Sequence, residues 1–363
     1  MIGYYKMSLI GSSHLSELDG VCQDSSGIKL LSNGWVVAAI ADGLGSSKRS
    51  DIASDLAVKE ILRFVEENLP EVWHEESLIS LLRIAFHVAL KKIKSVAKQS
   101  GNPIKDYDTT LTAIIYNGTN VVYGHVGDGG IITLSRYGDF SVLTIAQKGE
   151  EFNTVVPLRA APDNWIFGES KEAVCSILLL TDGIFDIVCP WLLAKQEQKI
   201  NINYIRPFMD TNILSVKTAA DFENVQKEIE EIFSGEQSKH ITDDKTIVGI
   251  INTEIKPEIK PDDYYKEPDW KLLHEEHRNK LYGKRISEIK EKVLLNNHLD
   301  IKFTGSSEDI EKVFGDEDKS GKVRISTVNN KSKMSNSTNS MSKADNRLKN
   351  KGFLSGLFQR KKR

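Results

Sequence analysis

The run Trp35-Val36-Val37-Ala38-Ala39-Ile40-Ala41 stops abruptly at Asp42-Gly43-Leu44-Gly45-Ser46-Ser47, and a helical pattern succeeds it. So short and bounded an apolar run fits a buried strand better than a helix. Asp42 then stands at a strand end, projecting into a crevice while the backbone turns tightly behind it. An Asp-Gly pair also marks ordinary turns. Asp-Gly hairpin turns, however, join two strands, whereas the segment beyond this pair is helical.

Hairpin signals set the class of sheet. Residues 28–31 and 35–40 flank Ser32-Asn33-Gly34, residues 110–116 and 121–126 flank Asn117-Gly118-Thr119-Asn120, and residues 131–135 and 140–145 flank Arg136-Tyr137-Gly138-Asp139. Such hairpins mean antiparallel sheets rather than a series of parallel crossovers. Residues 174–181 and 246–252 add two more apolar strands. Residues 51–69 read as an amphipathic helix, with Ile52, Leu56, Val58, Ile61, Leu62 and Val65 at helical spacing and Pro70 as its stop. Residues 77–98 form a second, apolar through Leu78, Leu81, Leu82, Ala85, Phe86 and Ala89, with a cationic last turn that suits the helix dipole. His87 on it is an ordinary core or boundary histidine, since no partner stands at helical spacing. Residues 219–233 make a further helix, closed by Ser234-Gly235. Residues 147–173 show little periodicity and contain Pro157 and Pro162, as expected of a lid or substrate flap.

At 363 residues the chain can hold one large domain or two. A net charge of −3 excludes a global attraction to nucleic acid or membrane. Cys22, Cys175 and Cys189 share no metal-ligand spacing, and so sparse and odd a set fits reduced thiols in a cytosolic protein. Residues 1–18 lack the apolar core of a signal peptide, and no run approaches the roughly 20 apolar residues of a membrane span. A cytoplasmic location is expected. The globular unit is expected to occupy residues 1–253. A polar linker and a charged helix come next, over 254–300. Residues 301–346, rich in Ser, Asn, Lys and Thr, are expected to be disordered. Residues 347–363 carry Phe353-Leu354-Ser355-Gly356-Leu357-Phe358 before Arg360-Lys361-Lys362-Arg363, a basic, hydrophobic tail that can touch anionic lipid or a partner protein. A plain solvated tail is the stronger alternative.

Asp42 has company at other strand ends. Asp182 ends the strand at 174–181, Asp128 follows 121–126, Asp243 and Asp244 precede 246–252, and Asp24 stands before 28–31. Two carboxylates ~4 Å apart cost on the order of 4 kcal/mol at an effective dielectric near 20. Bound cations remove that penalty. An all-oxygen set without His or Cys favours Mg²⁺ or Mn²⁺ over zinc. Two such ions about 3.5–4 Å apart can share a water, lower its pKa and direct it in line at phosphorus. The alternative is a scatter of unrelated turn and cap residues.

The pattern resembles the metal-dependent protein phosphatases of the PPM or 2C type. The resemblance is carried, in the family's order, by Cys22-Gln23-Asp24, Ala41-Asp42-Gly43-Leu44-Gly45, Asp108-Thr109-Thr110, Val126-Gly127-Asp128-Gly129, Thr181-Asp182-Gly183-Ile184-Phe185-Asp186 and Asp243-Asp244-Lys245-Thr246, and it covers residues 11–253. It implies an α+β fold, a four-layer α-β-β-α sandwich of two antiparallel sheets flanked by helices, with metals in a cleft at one end. By motif position Asp42 would bridge two Mn²⁺ or Mg²⁺ ions and Gly43 would lend its carbonyl. Asp182 and Asp243 would hold the other ion, with Asp24 as a mostly water-mediated partner. Asp128 matches the aspartate of a third, weaker metal in bacterial members. Asp42, Asp182 and Asp243 would thus carry the catalysis.

Two departures bear on phosphate binding. Asp19 stands where many members place a phosphate-anchoring Arg, and Gly129-Gly130 stands where many carry Ser-Arg. His14, Lys48, Arg49 and Arg159 are candidate replacements, although each reads more readily as a solvated surface residue. Gly11-Ser12-Ser13-His14 and Lys148-Gly149-Glu150 resemble a divergent bacterial branch whose members occur beside kinases, so a cognate kinase is an expected partner. Rival chemistries find little support. Six positions beyond the cysteines stand Ile28, Thr181 and Lys195 rather than the Arg of a cysteine-phosphatase loop, and no Walker loop occurs. The eight histidines form no recognisable triad with a serine. The expected function is hydrolysis of phosphoserine and phosphothreonine in proteins by metal-activated water, reversing a kinase. The alternatives are a catalytically weak phosphoprotein-binding adaptor and a phosphatase of a small phosphorylated metabolite.

Overall fold

The computed structural model describes residues 1–17, 20–148, 155–160, 162–190, 199–276, 278–280, 283 and 287. The chain divides into two compact units; residues 1–277 lie in the first and 278–349 make the second. The described positions of the second are helical, as are residues 270–276 of the first. Asp19, Gly149, Glu150 and the stretches expected to be a disordered linker and a basic tail, 301–346 and 347–363, lie outside the described residues.

In the first unit the strands, in chain order, are β1 (Ile2–Leu9), β2 (Ser25–Leu30), β3 (Val36–Ala41), β4 (Leu111–Tyr116), β5 (Val121–Val126), β6 (Gly130–Ser135), β7 (Phe140–Val142), β8 (Ile166–Glu169), β9 (Val174–Leu180) and β10 (Lys245–Asn252). The helices are α1 (His14–Glu17), α2 (Ser50–Asn68), α3 (Glu75–Gln99), α4 (Asp182–Val188), α5 (Ile202–Met209) and α6 (Ala219–Ser234). Two five-stranded sheets result, ordered β1-β10-β9-β6-β7 and β2-β3-β4-β5-β8, with every neighbouring pair antiparallel. The three hairpins read from the sequence are β2/β3, β4/β5 and β6/β7.

The unbroken apolar character of β3 has a simple cause: both of its faces are covered. Val36, Ala38 and Ile40 join Ile114, Ile131, Ile177, Leu179, Val248 and Ile250 in the core between the sheets. Val37, Ala39 and Ala41 face the other way, onto Ala53, Ala57 and Ile61 of α2 and Leu82, Ala85 and Phe86 of α3. On the far side, Tyr5, Leu178, Leu180 and Ile247 of the other sheet pack against Phe185, Phe208, Phe222 and Phe233 from α4 to α6. The layers therefore run helix, sheet, sheet, helix, as the family resemblance implies.

Several elements, β1, β8 and α5 among them, are additions to the sequence reading. β1 buries alternate residues, Tyr5 and Met7 among them, and pairs with β10 along its whole length. β8 lies inside the segment read as an irregular flap, paired to β5 through Ile166↔His125 to Glu169↔Val122, with Trp165 buried at its start. α5 forms despite Pro207. The packed chain also runs past Thr253. Ile255, Tyr264 and Tyr265 lie on the core beneath α4 to α6. The Phe140 amide donates to Tyr264 Oη at 2.8 Å, Lys260 pairs with Asp139 at 2.8 Å, and the Arg206 guanidinium sits 3.5 Å over the Tyr265 ring. Among the described residues no helix is long and apolar enough to cross a membrane.

Candidate active site

The turn after β3 is held by its neighbours on both sides. The Asp42 amide donates to Thr110 Oγ1 at 2.9 Å, and its carbonyl accepts from Thr109 Oγ1 at 2.9 Å and from the Thr110 amide at 2.8 Å. The Gly43 amide donates to the Gln23 carbonyl at 3.2 Å and the Leu44 amide to the Asp108 carbonyl at 3.1 Å. Only glycine fits at position 43: a Cβ there would stand 2.7 Å from Ser50 Cβ and 2.8 Å from the Gln23 carbonyl oxygen. The Asp-Thr-Thr motif at 108–110 is thus the clamp that aims Asp42.

Asp42 opens into a cleft of about 460 Å³ whose wall also includes His14, Gly43, Asp128, Lys148, Asp182, Asp186 and Asp243. Asp128 comes from the turn between β5 and β6, and Asp182 is the first residue of α4. Asp42, Asp128 and Asp182 each offer a carboxylate oxygen, all within 4.8 Å of one another. Burial and the charge of Asp182 push the Asp42 carboxyl well above the usual carboxylate range. Asp182 is raised likewise, by burial and then by Asp128 and Asp243. Burial pushes Asp128 up to about 6, with Lys148 pulling the other way. Oxygen atoms in such a cluster want a cation. Asp128 Oδ1 is buried without a hydrogen-bond partner, and so is Asp24 Oδ1.

Asp24 is not part of the cleft wall. Its Oδ2 accepts from Thr181 Oγ1 at 2.8 Å, and burial, opposed by that hydroxyl, pushes its pKa up to about 7. Asp243 and Asp244 divide their work. Asp243 is half exposed on the cleft. Asp244 is buried, accepting from the Gly11 amide at 2.7 Å and the Gln23 amide at 2.6 Å, with its Oδ1 3.0 Å from His14 Nδ1. It joins the two N-terminal motifs to the start of β10.

Of the four candidate phosphate contacts, the cleft contains His14, whose Nε2 lies 3.8 Å from Asp243 Oδ1. The others are placed elsewhere. Arg159 forks onto Asp108, Nε to Oδ1 at 2.6 Å and the second guanidinium nitrogen to Oδ2 at 2.7 Å. Arg49 lies 3.5 Å from Asp106 beside Tyr107, and Lys48 is exposed outside the cleft wall. An acid distant in sequence but brought close by the fold has taken each arginine. Lys148 and Asp186, which line the cleft, were visible in the sequence only as members of motifs. Nothing in the spacing says that a loop lysine turns inward. The glycine at 130 has a packing reason, since a Cβ there would fall 2.1 Å from the Phe185 ring.

A comparison with curated protein sequences finds no match. Among solved structures, a bacterial serine phosphatase superposes with a TM-score of 0.50 at 13% identity, over 72% of this chain and 100% of that one. Stp1, a serine/threonine phosphatase from Staphylococcus aureus, gives 0.49 at 13% identity over 69% of this chain and 95% of that one. The catalytic domain of the serine/threonine phosphatase PstP, solved with two manganese ions, gives 0.45 at 18% identity over 69% and 97%. At 13% identity the likeness to the first of these is one of fold. The family model described as protein phosphatase 2C matches residues 10–233, more than half of the chain. With the strand-end aspartates gathered in one cleft of a two-sheet sandwich, the chain belongs to the protein phosphatase 2C family.

Proposed function

We propose that the protein hydrolyses phosphoserine and phosphothreonine in protein substrates with the help of two divalent ions, Mn²⁺ or Mg²⁺, and so reverses a serine/threonine kinase. The observation that carries this is the convergence of Asp42, Asp128 and Asp182 within 4.8 Å in an open cleft. The residues fit such ions. The donors are all oxygen, as hard cations require, and Asp128 and Asp24 each keep a buried oxygen that nothing in the protein satisfies. Asp42, the Gly43 carbonyl, Asp182 and Asp243 would hold the ions, and Asp128 is close enough to Asp42 and Asp182 to share one. Asp24, behind Thr181, would act at one remove. Bound divalent ions supply Lewis acidity and a water of lowered pKa for direct displacement at phosphorus.

The chain's own contribution is placement. The Thr109 and Thr110 hydroxyls hold the Asp42 backbone, so the carboxylate meets its partners without reorganising. His14 lies at the cleft beside Asp244, where the imidazole can donate to a phosphoryl oxygen or hold a proton for the leaving serine or threonine. Three thiols that form no disulfide support a reducing, cytoplasmic setting.

The test is turnover of an aryl phosphate and of phosphoserine and phosphothreonine peptides, with Mn²⁺ or Mg²⁺, beside Asp42→Asn and Asp182→Asn. Each substitution is expected to lower turnover by about a hundredfold or more, beyond the ~10–100-fold typical of outer-shell changes. Activity indifferent to chelators, or surviving both substitutions, would overturn the reading. A second reading draws on the arginines: Arg49 and Arg159 are held by Asp106 and Asp108 outside the cleft. A protein that binds Mn²⁺ and phosphopeptide yet turns over neither class of substrate would be a phosphoprotein-binding adaptor.

A further inference from the structure

Lys148 sits where an acidic, metal-binding cleft would least be expected to place a cation. Its position is built in from the backbone. The Gln147 amide donates to the Gly127 carbonyl at 2.7 Å, and the Gly127 amide donates back to Gln147 Oε1 at 3.0 Å. The residue before Lys148 is therefore tied on two sides to the residue before Asp128. Lys148 Nζ then reaches 2.7 Å from Asp186 Oδ2 and 3.8 Å from Asp128 Oδ2, with its side chain 12% exposed.

The two oxygens of Asp128 are thus in different situations. Oδ2 faces the ammonium, whereas Oδ1 is buried without a partner and remains for the ion shared with Asp42 and Asp182. A divalent ion between Asp128 and Asp186 would need carboxylate oxygens at about 2.0–2.2 Å. The ammonium already stands in that space, and like charges so close repel strongly.

We propose that Lys148 is a tethered cation that occupies the Asp128–Asp186 end of the cleft and confines divalent ions to the end formed by Asp42, Asp182 and Asp243. This rests on the metal-dependent function proposed for the cleft, and it assigns the lysine to ion stoichiometry rather than to the phosphate. The test is the number of Mn²⁺ ions bound per chain, by isothermal titration calorimetry and by loss of the free-ion electron paramagnetic resonance signal. It compares the full-length protein with Lys148→Met and Lys148→Arg. The methionine variant is expected to take up about one more ion than the native protein, because two carboxylates are left unneutralised. The arginine variant is expected to keep the native count. Lys148→Gln carries the same expectation as the methionine variant should that one fail to fold. Equal counts in native, Met and Gln proteins would overturn the proposal and leave the metal reading standing. A native protein that binds no Mn²⁺ would remove both. An unchanged count with KM for an aryl phosphate raised about tenfold, ~1.4 kcal/mol of lost binding, would overturn the proposal by making Lys148 a phosphate anchor.

Discussion

Asp244 accepts hydrogen bonds from the Gly11 and Gln23 amides while Asp243, one residue earlier, faces the cleft. Neighbouring carboxylates can therefore be separated by experiment. Asp244→Asn replaces one acceptor oxygen with an amide nitrogen facing a backbone N–H, which leaves a buried donor unsatisfied. That is expected to lower unfolding free energy by roughly 1–3 kcal/mol, read from urea denaturation. Asp243→Asn, on a half-exposed side chain, is expected to weaken Mn²⁺ binding with little change in that denaturation midpoint. The residues alone showed the motif Asp243-Asp244 as a pair, and the choice of Asp243 for the cleft came from the family resemblance rather than from the spacing. Both residues precede β10, so strand alternation does not set which one faces the cleft; the packing of Asp244 on the Gly11 and Gln23 amides does. Arg159 makes the same point from the other side, since its partner Asp108 lies 51 residues away in sequence.

At the scale of elements, hydrophobic runs and turn residues carried most of the information. β3, β4, β9 and β10 are buried on both faces and stand out as apolar runs. β1 and β8 lie at sheet edges, with one neighbour each. Lys6 in β1 and Gly168 and Glu169 in β8 blur the pattern that would announce them. The segment after Thr253 reads as a polar linker because its contacts are few and specific: Tyr264 to the Phe140 amide, Lys260 to Asp139, Tyr265 under Arg206. Chains ending after Thr253 and after Lys266 should therefore differ. The shorter is expected to melt at least 2–4 °C lower, the shift that about 1 kcal/mol produces in a domain near this size, measured by calorimetry.

For the molecule as a whole, the cleft makes stability depend on pH and metal together. Asp24 and Asp128, raised to about 7 and about 6, bind protons in the folded state that the unfolded chain releases. Their contribution is fully present below the unfolded value near 3.9 and is lost as pH rises through 6 and 7. His125 acts oppositely: burial lowers it to about 4, so its contribution is present above about 6.5 and lost as pH falls through 4. Asp42 and Asp182 are raised as well, so the carboxylates outweigh the single histidine. The metal-free protein is expected to melt higher at pH 6 than at pH 8. Mn²⁺ should raise the melting temperature more at pH 8, where the carboxylates are charged and repel without it. Thermal melts with and without a chelator at both pH values check this. An equal Mn²⁺ shift at the two would mean that the ion does not replace those protons.

Local chemistry was enough to determine the antiparallel sheets, the two long helices and the aspartates at strand ends. Each depends on residues close in sequence: a hairpin turn, a helical stripe, an apolar run stopped by Asp-Gly. The tertiary structure alone decided what surrounds those aspartates. It moved Arg49 and Arg159 onto Asp106 and Asp108, buried Asp244 as a staple, set Asp24 behind Thr181 and turned Lys148 into the acids. A charged side chain takes whichever opposite charge the folded backbone brings within reach. That reach is fixed only when the sheets have packed.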